Sequence, residues 1–397
     1  MRREACGSCA DTSLDMFLDL GKTPLANTYP ATADAQETWY PLELAVCGNC
    51  GLVQLMEVVD DAEIYGADYG FYSGGSQAQL DYHRRGAEML LNRFPEQAKR
   101  LTVEVACNDG SLLAHFHAAG CRSVGIDPAA GPVKVALGRG LDVHEMPLGR
   151  GVGQTVREMY GPAGLVIAYN SMAHVADLGD MLAGVRNLMD EASIAVIEVQ
   201  YLPDLLAGNM YDQVYHEHRF FYSLSSLRYA CALHGLTVTE AKLIELQGGG
   251  LRVMLSADPH ATAGPSVERI TAAESWLPLA YPGFQGKVDR TAEHLRTLVD
   301  AELTAGRTIA GYGAAAKATT ILNFCGLGPK ELRYVVDTTP HKQGRYLPGT
   351  GLPIVSPETA EPVDTLLLLA ANYLGTVLRH NPHRGRWIVP QPLPALI

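Results

Sequence analysis

Short apolar runs alternate with amphipathic stretches through the middle of the chain. The segments LTVEVAC, RSVGID, LDVHEM, GLVIAYN and ASIAVIEVQ are short and rich in β-branched residues, which is typical of buried strands. Stretches with helical spacing lie among them, notably LDYHRRGAEMLLNRF, SLLAHFHAAG, GPVKVALGRG and MLAGVRNLMD. Buried strands that alternate with helices of ten or more residues predict a parallel, doubly wound α/β sheet.

The pattern changes on both sides of this region. The first 75 residues lack long helical periodicity and are rich in Gly, Pro and Tyr, which predicts a separate lobe rich in loops. Near residue 285 a long amphipathic helix is predicted by VDRTAEHLRTLVDAELTAG, and TIAGYG, LRYVVD and TLLLLA follow as buried strands. We therefore expect an N-terminal lobe over 1–75, a central α/β domain over 76–284 and a smaller α/β domain over 285–397, ending in an extended Pro-rich tail.

Composition and charge narrow the function classes. The 397 residues are 47% apolar and 19% charged, as in ordinary globular domains. Because 43 Asp and Glu outnumber 31 Lys and Arg, the net charge of −12 disfavours a general binder of nucleic acid or anionic membranes. The sequence has no run of 18 apolar residues, and its opening MRREACGSC is unlike a signal peptide, so we expect a cytoplasmic protein without a membrane partner.

Four of the eight cysteines form two close pairs. Cys6 and Cys9 lie in CGSC, and Cys47 and Cys50 lie in CGNC. Two such turns can complete the tetrahedral thiolate shell that Zn²⁺ favours in structural sites, so we predict a zinc ion that holds the first lobe together and takes no part in chemistry. The gap between the pairs is longer than usual for a zinc ribbon, and a coincidental pairing or redox-active thiols are the alternatives.

The turn after the first central strand is a candidate cofactor site. The segment EVACNDG lies between a strand and a helix, where a doubly wound sheet binds its ligand. The dinucleotide fingerprint G-x-G-x-x-G is absent, and an acidic residue with one late Gly suits a nucleoside without phosphate, for which S-adenosylmethionine is the candidate. An ordinary structural turn is the alternative. The predicted cofactor-binding residues are Glu104, Ala106, Asn108, Gly110, Asp127 (at the ribose hydroxyls) and Asn170.

A run of ionisable residues suggests acid–base chemistry. Tyr215, His216, Glu217 and His218 supply a phenol, two imidazoles and a carboxylate, and the FFY that follows gives an apolar wall that would exclude water. Ordinary surface or core histidines are one alternative. Metal binding by the His-Glu-His run is another, although the run lacks the i, i+4 spacing of a HExxH zinc site.

The order of the motifs along the chain resembles that of the NDP-sugar C-methyltransferases of deoxysugar biosynthesis. The resemblance implies an N-terminal zinc lobe, a central Rossmann-like class I methyltransferase domain that uses S-adenosylmethionine, and a C-terminal Rossmann-like domain. It also implies methyl transfer to carbon 3 of a nucleotide-linked 4-keto-6-deoxysugar, with a dTDP-sugar as the expected partner. The segments that carry it are the two CxxC pairs, EVACNDGSLL, GIDPA, NSMAHVADL, YHEHRFFYS, GGGLRV, GYGAAAKATTILNFCGL and VVDTTPHKQGRYLPGTGLPI.

Methylation of a carbon beside a ketone requires a base and a group that stabilises the enolate. The resemblance assigns Tyr215 and Glu217 to the sugar site and His218 to the role of general base. His174, in AHVAD, matches the other active-site histidine of the family and would hydrogen-bond the ketone oxygen. Tyr72, in DYGFYSG, is the candidate for a tyrosine that the family places over the active site, and a packed hinge is the alternative for this loop.

A second anion site is predicted in the C-terminal domain. TIAGYGAAAKATTIL places a Gly-rich turn before a helix whose first turn carries Lys317, and backbone N–H groups there favour an anion. With Tyr312, His341, Lys342 and Arg345, this lysine is predicted to bind the pyrophosphate of the sugar nucleotide. A solvated lysine at an ordinary helix start is the alternative.

Several residues depart from the commonest pattern of the family. They leave open the particular sugar and a changed reaction, such as epimerisation without methylation. A methyltransferase for another nucleotide-linked or small-molecule substrate, and a sugar-nucleotide-binding protein without catalysis, are the remaining alternatives. The departing residues are Cys107, Tyr169, Ser171, Arg219, Gln247 and Gly250.

Overall fold

The structure is a computed structural model that describes residues 1–65, 71–245, 249–371, 374–380 and 385–397. Gln247, one of the departing residues, lies outside these ranges. Three β-sheets organise the chain, and the predicted three-part α/β architecture is confirmed. A search of the described helices found none with the length and apolar character needed to cross a membrane.

The N-terminal lobe is built on a four-stranded antiparallel sheet in the order β1-β2-β3-β9. The last strand comes from the central part of the chain, directly after the histidine run, and pairs with β3. The sequence analysis did not foresee this strand, because two residues are too few to show a period. The elements are β1 Leu14–Thr23, β2 Tyr40–Cys47, β3 Val53–Leu55, helix α1 Asp61–Ile64 and β9 Phe220–Phe221.

The central sheet has seven strands in the order β10-β11-β8-β7-β4-β5-β6. Its strands are β4 Thr102–Val105, β5 Ser123–Asp127, β6 Val143–Glu145, β7 Ala163–Tyr169, β8 Met189–Gln200, β10 Thr237–Ile244 and β11 Gly250–Ser256. Strands β4 to β8 are parallel as predicted. The hairpin of β10 and β11 adds an antiparallel edge that the sequence analysis missed.

Helices cover both faces of the central sheet. Alternate residues of β7 belong to different cores, since Val166 and Ala168 pack in one cluster and Leu165 and Ile167 in another. The helices are α2 Gln77–Arg93, α3 Pro95–Ala98, α4 Leu113–Ala118, α5 Ala130–Gly138, α6 Arg150–Tyr160, α7 Leu178–Leu188, α8 Leu202–Ala207, α9 Leu224–Ala232 and α10 Pro265–Ala273, with a 3₁₀ turn at Tyr211–Gln213.

The C-terminal sheet also has seven strands, in the order β14-β15-β13-β12-β16-β17-β18. The inner five are parallel, and the two outermost strands are antiparallel to their neighbours. The strands are β12 Ile309–Tyr312, β13 Val335–Val336, β14 Tyr346–Leu347, β15 Leu352–Val355, β16 Thr365–Leu368, β17 Arg386–Val389 and β18 Ala395–Leu396. The helices are α11 Leu277–Thr304, α12 Ala316–Cys325 and α13 Leu374–His380, with a 3₁₀ turn at Pro340–Lys342.

The N-terminal lobe and the C-terminal domain share one hydrophobic core. Leu18 and Leu44 of the lobe belong to the same buried cluster as Phe284 of α11 and Ile321 of α12. Helix α11 runs across residues 284 and 285, where the sequence analysis placed a domain boundary. The shared core holds the lobe against the C-terminal domain, beside the carboxyl ends of the parallel strands.

Candidate active site and zinc centre

The four paired cysteines come together in the N-terminal lobe. Their sulfur atoms all lie within 4.8 Å of one another. Sγ of Cys6 lies 3.6 Å from Sγ of Cys50, and Sγ of Cys9 lies 3.6 Å from Sγ of Cys47. A tetrahedral zinc ion with Zn–S bonds of about 2.3 Å separates its sulfurs by about 3.8 Å, so the cluster has the size of a zinc site. Four thiolates close the shell and leave no position for a substrate.

The loop after β4 has an unusual backbone conformation. Ala106, Asn108 and Gly110 have φ angles of 55°, 53° and 73°, so three alternate residues are left-handed. This conformation costs roughly 1–2 kcal/mol at each residue other than Gly, and such strain is concentrated at ligand sites. The segment thus has the backbone shape of a Gly-rich loop, with Ala106 and Asn108 in place of two glycines. A search of the sequence for glycines could not reveal this left-handed conformation.

Asp127 is held at the end of β5 by two backbone groups. Its Oδ2 accepts a hydrogen bond from the N–H of Asn108 at 2.8 Å, and its Oδ1 accepts one from the N–H of Ala129 at 2.8 Å. The side chain is buried, which raises its pKa, while the two N–H groups oppose that shift. Each carboxylate oxygen keeps a second lone pair that can accept from a ribose hydroxyl.

Two further predicted cofactor residues lie at the same edge of the sheet. Glu104 of β4 is buried, and its Oε2 has no hydrogen-bond partner among the described residues. Burial raises the pKa of Glu104 well above its usual value, which favours the protonated acid. Asn170 follows β7 with a φ of 52°, and its N–H donates to the carbonyl of Glu198 at 2.8 Å.

A segment before α2 is fastened across the cofactor loop. Oδ1 of Asn108 accepts from the N–H of Ser73 at 2.8 Å, and Nδ2 of Asn108 donates to the carbonyl of Phe71 at 3.2 Å. Oδ2 of Asp109 accepts from the N–H of Gly74 at 3.0 Å. Asn108 therefore has a role that a glycine could not fill, because its side-chain amide binds residues 71–74 to the cofactor loop.

Tyr72 belongs to the fastened segment. Its hydroxyl lies 3.0 Å from the position that a Cβ atom would occupy at Gly131, near the start of α5. Among the described residues no hydrogen bond or ring contact joins Tyr72 to the histidine run. The structure thus puts this tyrosine beside the cofactor loop.

His218 has a defined hydrogen-bonding state. Its Nδ1 lies 2.8 Å from the carbonyl oxygen of Gln213, and its Nε2 lies 2.6 Å from the hydroxyl of Tyr215. A carbonyl only accepts, so Nδ1 carries the proton and Nε2 presents a lone pair to the hydroxyl. Burial lowers the pKa of His218 well below its usual value, so the ring is neutral at neutral pH and can act as a base.

His174 lies beside His218, although 44 positions separate them in sequence. The two rings are perpendicular, with centroids 5.0 Å apart. Burial lowers the pKa of His174 to about 4, and the charge of Arg219 acts in the same direction. The hydroxyl of Tyr65 lies 3.2 Å from Nδ1 of His174. Tyr65 comes from the N-terminal lobe, and the sequence analysis missed it because no local pattern marks it.

Glu217 is buried between the N-terminal lobe and the C-terminal domain. It accepts a hydrogen bond from the side-chain amide of Asn27, a second residue that the sequence analysis missed. Burial raises the pKa of Glu217 to about 7, and the nearby charge of Lys342 opposes that shift. Nζ of Lys342 donates to the carbonyl of Ala314 at 2.9 Å and lies 4.9 Å from the centroid of the Tyr29 ring.

His216 points to different partners. Its Nε2 lies 3.0 Å from the carbonyl oxygen of Pro41 in β2, and its ring packs against Tyr40. His216 and His218 therefore do not converge on one point. This arrangement disfavours the alternative of a metal site in the histidine run and gives His216 a structural role.

Lys317 is the most buried of the predicted substrate residues. Its side chain is 8% exposed in the first turn of α12, after Gly313 with a φ of 98°. Among the described residues its Nζ has no hydrogen-bond acceptor and no carboxylate within 4.0 Å. Burial lowers the pKa of Lys317, the charge of the buried Asp212 opposes that shift, and the lysine's own charge helps to lower the pKa of His218. The ammonium group is therefore near the base and free to bind an anion.

The remaining substrate candidates lie further out. His341 and Arg345 are exposed, and a guanidinium nitrogen of Arg345 donates to the carbonyl of Tyr29 at 3.2 Å. The ring of Tyr312 packs edge-on against Trp387. The structure thus brings Lys317 and Lys342 to the histidine run, but it does not bring the other three there.

The departing residue Arg219 links the lobe to the active site. Its side chain is fully buried. The guanidinium donates to the carbonyl of His174 at 3.1 Å and to that of Val59 at 2.8 Å, and it forms an ion pair with Asp61 of α1. The arginine therefore joins the loop that carries His174 to the segment that leads into α1.

Comparisons with known proteins cover the whole chain. Three family models match in succession, described as a zinc binding domain over residues 6–65, a methyltransferase domain over 78–241 and a C-methyltransferase C-terminal domain over 245–392. C-methyltransferase NovU from Streptomyces niveus is 33% identical over 408 residues, which cover 99% of this chain and 97% of NovU.

Solved structures of methyltransferases also match. Magnesium protoporphyrin IX methyltransferase from Synechocystis PCC 6803, with bound SAM, is 13% identical, with 46% of this chain and 84% of that chain covered and a TM-score of 0.34. A SAM-dependent methyltransferase from Archaeoglobus fulgidus is 15% identical, with 44% of this chain and 94% of that chain covered and a TM-score of 0.35.

Proposed function

The chain belongs to the C-methyltransferase family, with S-adenosylmethionine and zinc as its cofactors, and from this premise we propose that it methylates carbon 3 of a nucleotide-linked 4-keto-6-deoxysugar through an enolate. The observation that carries the proposal is the state of His218, a buried neutral imidazole with its Nε2 lone pair turned towards a tyrosine hydroxyl. A base of this kind is what removal of a proton from carbon requires. Cytoplasmic deoxysugar biosynthesis is the proposed setting.

Bound S-adenosylmethionine supplies an electrophilic methyl group. The loop residues Glu104, Ala106, Asn108 and Gly110, with Asp127 and Asn170, are assigned to hold it at the carboxyl edge of the central sheet. Asp127 takes the ribose hydroxyls, because its fixed carboxylate retains lone pairs there. The zinc ion belongs to Cys6, Cys9, Cys47 and Cys50 and is structural.

The histidine run and His174 share the proton chemistry. Nε2 of His218 takes the proton from the carbon beside the ketone, and the electron pair moves into the enolate. The hydroxyl of Tyr215 turns from Nε2 to the ketone oxygen when the substrate enters, which frees the base and stabilises the developing charge. Glu217 orients this group of residues from its position between the lobe and the C-terminal domain. Tyr72 covers the cofactor side of the site.

The position of Lys317 supports a nucleotide-linked sugar as the substrate. In such a substrate the phosphate is attached to carbon 1, two bonds from carbon 3 in the same ring. An anion site and a base that serve one substrate must therefore lie about one sugar ring apart. Lys317 is a buried ammonium whose charge acts on His218, so it fits the pyrophosphate. Lys342 adds a second cation, and Tyr312, His341 and Arg345 are assigned to the outer part of the nucleotide.

A direct test supplies the protein with methyl-labelled S-adenosylmethionine and a panel of dTDP-4-keto-6-deoxysugars. We expect the label on carbon 3 of at least one sugar, located by mass spectrometry and NMR. Label on an oxygen or another carbon would contradict the proposal, and epimerisation without label would establish the changed reaction instead.

Solvent deuterium exchange then isolates the base. His218→Ala should slow exchange at the substrate carbon by about 10²-fold or more, which is the typical contribution of a general base. Binding of S-adenosylmethionine, measured by calorimetry, should persist. His260→Ala, at an exposed histidine, is the matched control. Exchange at the wild-type rate in His218→Ala would assign the proton transfer to another residue.

A further inference from the structure

Residues 71–75 are bound to the cofactor loop by the side chain of one residue. Oδ1 of Asn108 accepts from the N–H of Ser73 at 2.8 Å, and its Nδ2 donates to the carbonyl of Phe71 at 3.2 Å. We propose that residues 71–75 form a lid over bound S-adenosylmethionine and that the amide of Asn108 is the latch that holds the lid closed. The proposal rests on the cofactor site assigned above, at the loops after β4 and β5.

The lid joins the two loops assigned to the cofactor. Phe71 and Ser73 are bound to the loop after β4, and the hydroxyl of Tyr72, between them, lies 3.0 Å from the Cβ position of Gly131. Gly131 lies in the first turn of α5, shortly after Asp127 at the end of β5. Three consecutive residues thus reach from one loop to the other, and a ligand held between these loops lies beneath them.

The latch is a side chain at a left-handed position of the backbone. Asn108 has a φ of 53°, a conformation that asparagine adopts more readily than most residues other than glycine. Both polar atoms of its amide bind main-chain groups of the lid, whereas its own N–H donates to Asp127. Because the side chain serves the lid and the backbone serves the cofactor loop, a substitution can remove one role and keep the other.

Gly74 of the lid approaches the cofactor loop too closely to carry a side chain. Its N–H donates to Oδ2 of Asp109 at 3.0 Å. A Cβ atom at Gly74 would lie 2.6 Å from that oxygen and 2.8 Å from Oγ of Ser111. The side chains of Asp109 and Ser111 are bonded to each other and to Arg139, so a Cβ atom would push the lid away. The closed position therefore requires glycine at residue 74.

Helix α2, which follows the lid, is fixed to the central sheet. Ser76 caps its first turn, and the hydroxyl of Tyr82 donates to the fully buried carboxylate of Glu198 at 2.6 Å. Gly74 and Gly75 lie between this anchored helix and the latched residues. We place the hinge of the lid at these two residues, because glycine has the widest backbone freedom.

The rates of cofactor binding and release test the latch. Asn108→Gly keeps the left-handed backbone and removes two hydrogen bonds to the lid. Because a closed lid obstructs both entry and exit, S-adenosylmethionine should associate and dissociate about tenfold faster, with its affinity kept within about threefold. Surface plasmon resonance measures both rate constants. Unchanged rates would overturn the proposal, and so would faster dissociation alone, which would mean that the Asn108 side chain holds the cofactor directly.

Gly74→Ala opens the lid without any change in the cofactor loop. Both rate constants should again rise, by at least about threefold, because the Cβ atom displaces the lid from Asp109 and Ser111. Gly138→Ala is the matched control, since this glycine is exposed in α5 and no neighbouring atom lies within 4 Å of its Cβ position. Wild-type rates in Gly74→Ala would overturn the proposal.

Hydrogen exchange reads the latch without a ligand. By NMR, the N–H of Ser73 should be protected in the wild type and should exchange about tenfold faster in Asn108→Gly. An unprotected wild-type Ser73 would overturn the latch. Asp127→Ala separates the lid from the cofactor assignment. If that variant binds S-adenosylmethionine normally, the assigned site is wrong, whereas weakened binding together with wild-type rates in Asn108→Gly refutes the lid alone.

Discussion

The central and C-terminal sheets share one hydrogen-bond arrangement at their carboxyl edges. In each, an acidic residue at the end of one strand accepts from an N–H in the turn after the neighbouring strand. Asp127, at the end of β5, accepts from the N–H of Asn108 in the loop after β4. Asp337, just after β13, accepts from the N–H of Ala314 in the turn after β12, at 2.7 Å. In both cases the second carboxylate oxygen accepts the N–H two residues further along the chain, at 2.8 Å. Each acidic residue thus fixes the turn of the neighbouring strand.

The surroundings of the two turns differ in charge. The main-chain segment 71–74 is fastened across the central loop. The C-terminal turn receives the hydroxyl of Tyr29 and the ammonium of Lys342 on its Ala314 carbonyl, and Lys317 follows in the helix. In the proposed function, one scaffold serves a cationic cofactor at one edge and an anionic substrate at the other. The backbone sets the place of the ligand, and the side chains around it set the ligand's charge.

Removal of zinc should have the largest effect, because the N-terminal lobe contributes residues beside the carboxyl edges of both the central and the C-terminal sheets. Metal analysis should find one zinc per chain, and a structural zinc ion contributes on the order of 10 kcal/mol to folding. Chelation or Cys9→Ser should melt the lobe, and methyl transfer should fail because Asn27, Tyr29 and Tyr65 leave the site. Binding of S-adenosylmethionine should persist. Cys121→Ser lies outside the cluster and is the control, and full activity without metal would contradict the expectation.

Glu217 lies between the edges of the central and C-terminal sheets, and it should make the free energy of unfolding depend on pH. Its pKa is about 7 in the folded protein against 4.5 for a free Glu, so the folded chain keeps a proton that the unfolded chain releases between these values. Stability from this group is fully present below pH 4.5 and is lost as the pH rises to about 7. At about 1.4 kcal/mol per pH unit, the loss is about 3 kcal/mol.

Denaturant unfolding of Glu217→Gln measures this contribution. The difference in unfolding free energy between Glu217→Gln and the wild type should grow by about 3 kcal/mol in favour of the variant from pH 4.5 to pH 7. The other titrating groups cancel in that difference. Glu191→Gln, at an exposed position, should show no such growth. A constant difference for Glu217→Gln would mean that the buried carboxyl is ionised throughout.

Alanine substitution of Asp127 and of Asp337 should separate ligand binding at the central edge from ligand binding at the C-terminal edge. Asp127→Ala should weaken binding of S-adenosylmethionine by about 1.5–3 kcal/mol, through the loss of hydrogen bonds to a charged group, and leave sugar-nucleotide binding intact. Asp337→Ala should do the reverse, because it releases the turn that precedes Lys317. Calorimetry with each ligand checks both. The comparison fails if either variant weakens both ligands equally.

Lys317→Met should have the smallest effect of the set, confined to the C-terminal edge. Loss of one charged hydrogen bond to phosphate should raise the KM for the sugar nucleotide about tenfold and leave the affinity for S-adenosylmethionine unchanged. Lys330→Met, at an exposed lysine, is the control. An unchanged KM would place the pyrophosphate elsewhere.

Features that are local in sequence were predictable, and those that depend on tertiary contacts were not. The cysteine pairs and the run from Tyr215 to His218 stand out because their spacing carries the chemistry. Tyr65 and Asn27 could not be found in this way, since each reaches the site from a loop of another lobe with no motif around it. The left-handed turn at Ala106 was hidden because its sequence lacks the expected glycine, and the two-residue strand β9 is too short to have a period.

The pairing of β9 with β3 has a consequence for how the protein is made. The cysteine pairs leave the ribosome before β9 and can bind zinc early, but β3 keeps an open edge until residue 221 has been synthesised. The strand that covers this edge begins two residues after His218, so its pairing with β3 also brings His218 to the lobe. A transplant of residues 1–65 into another enzyme would therefore carry an unprotected strand with it, unless Phe220 and Phe221 were moved as well.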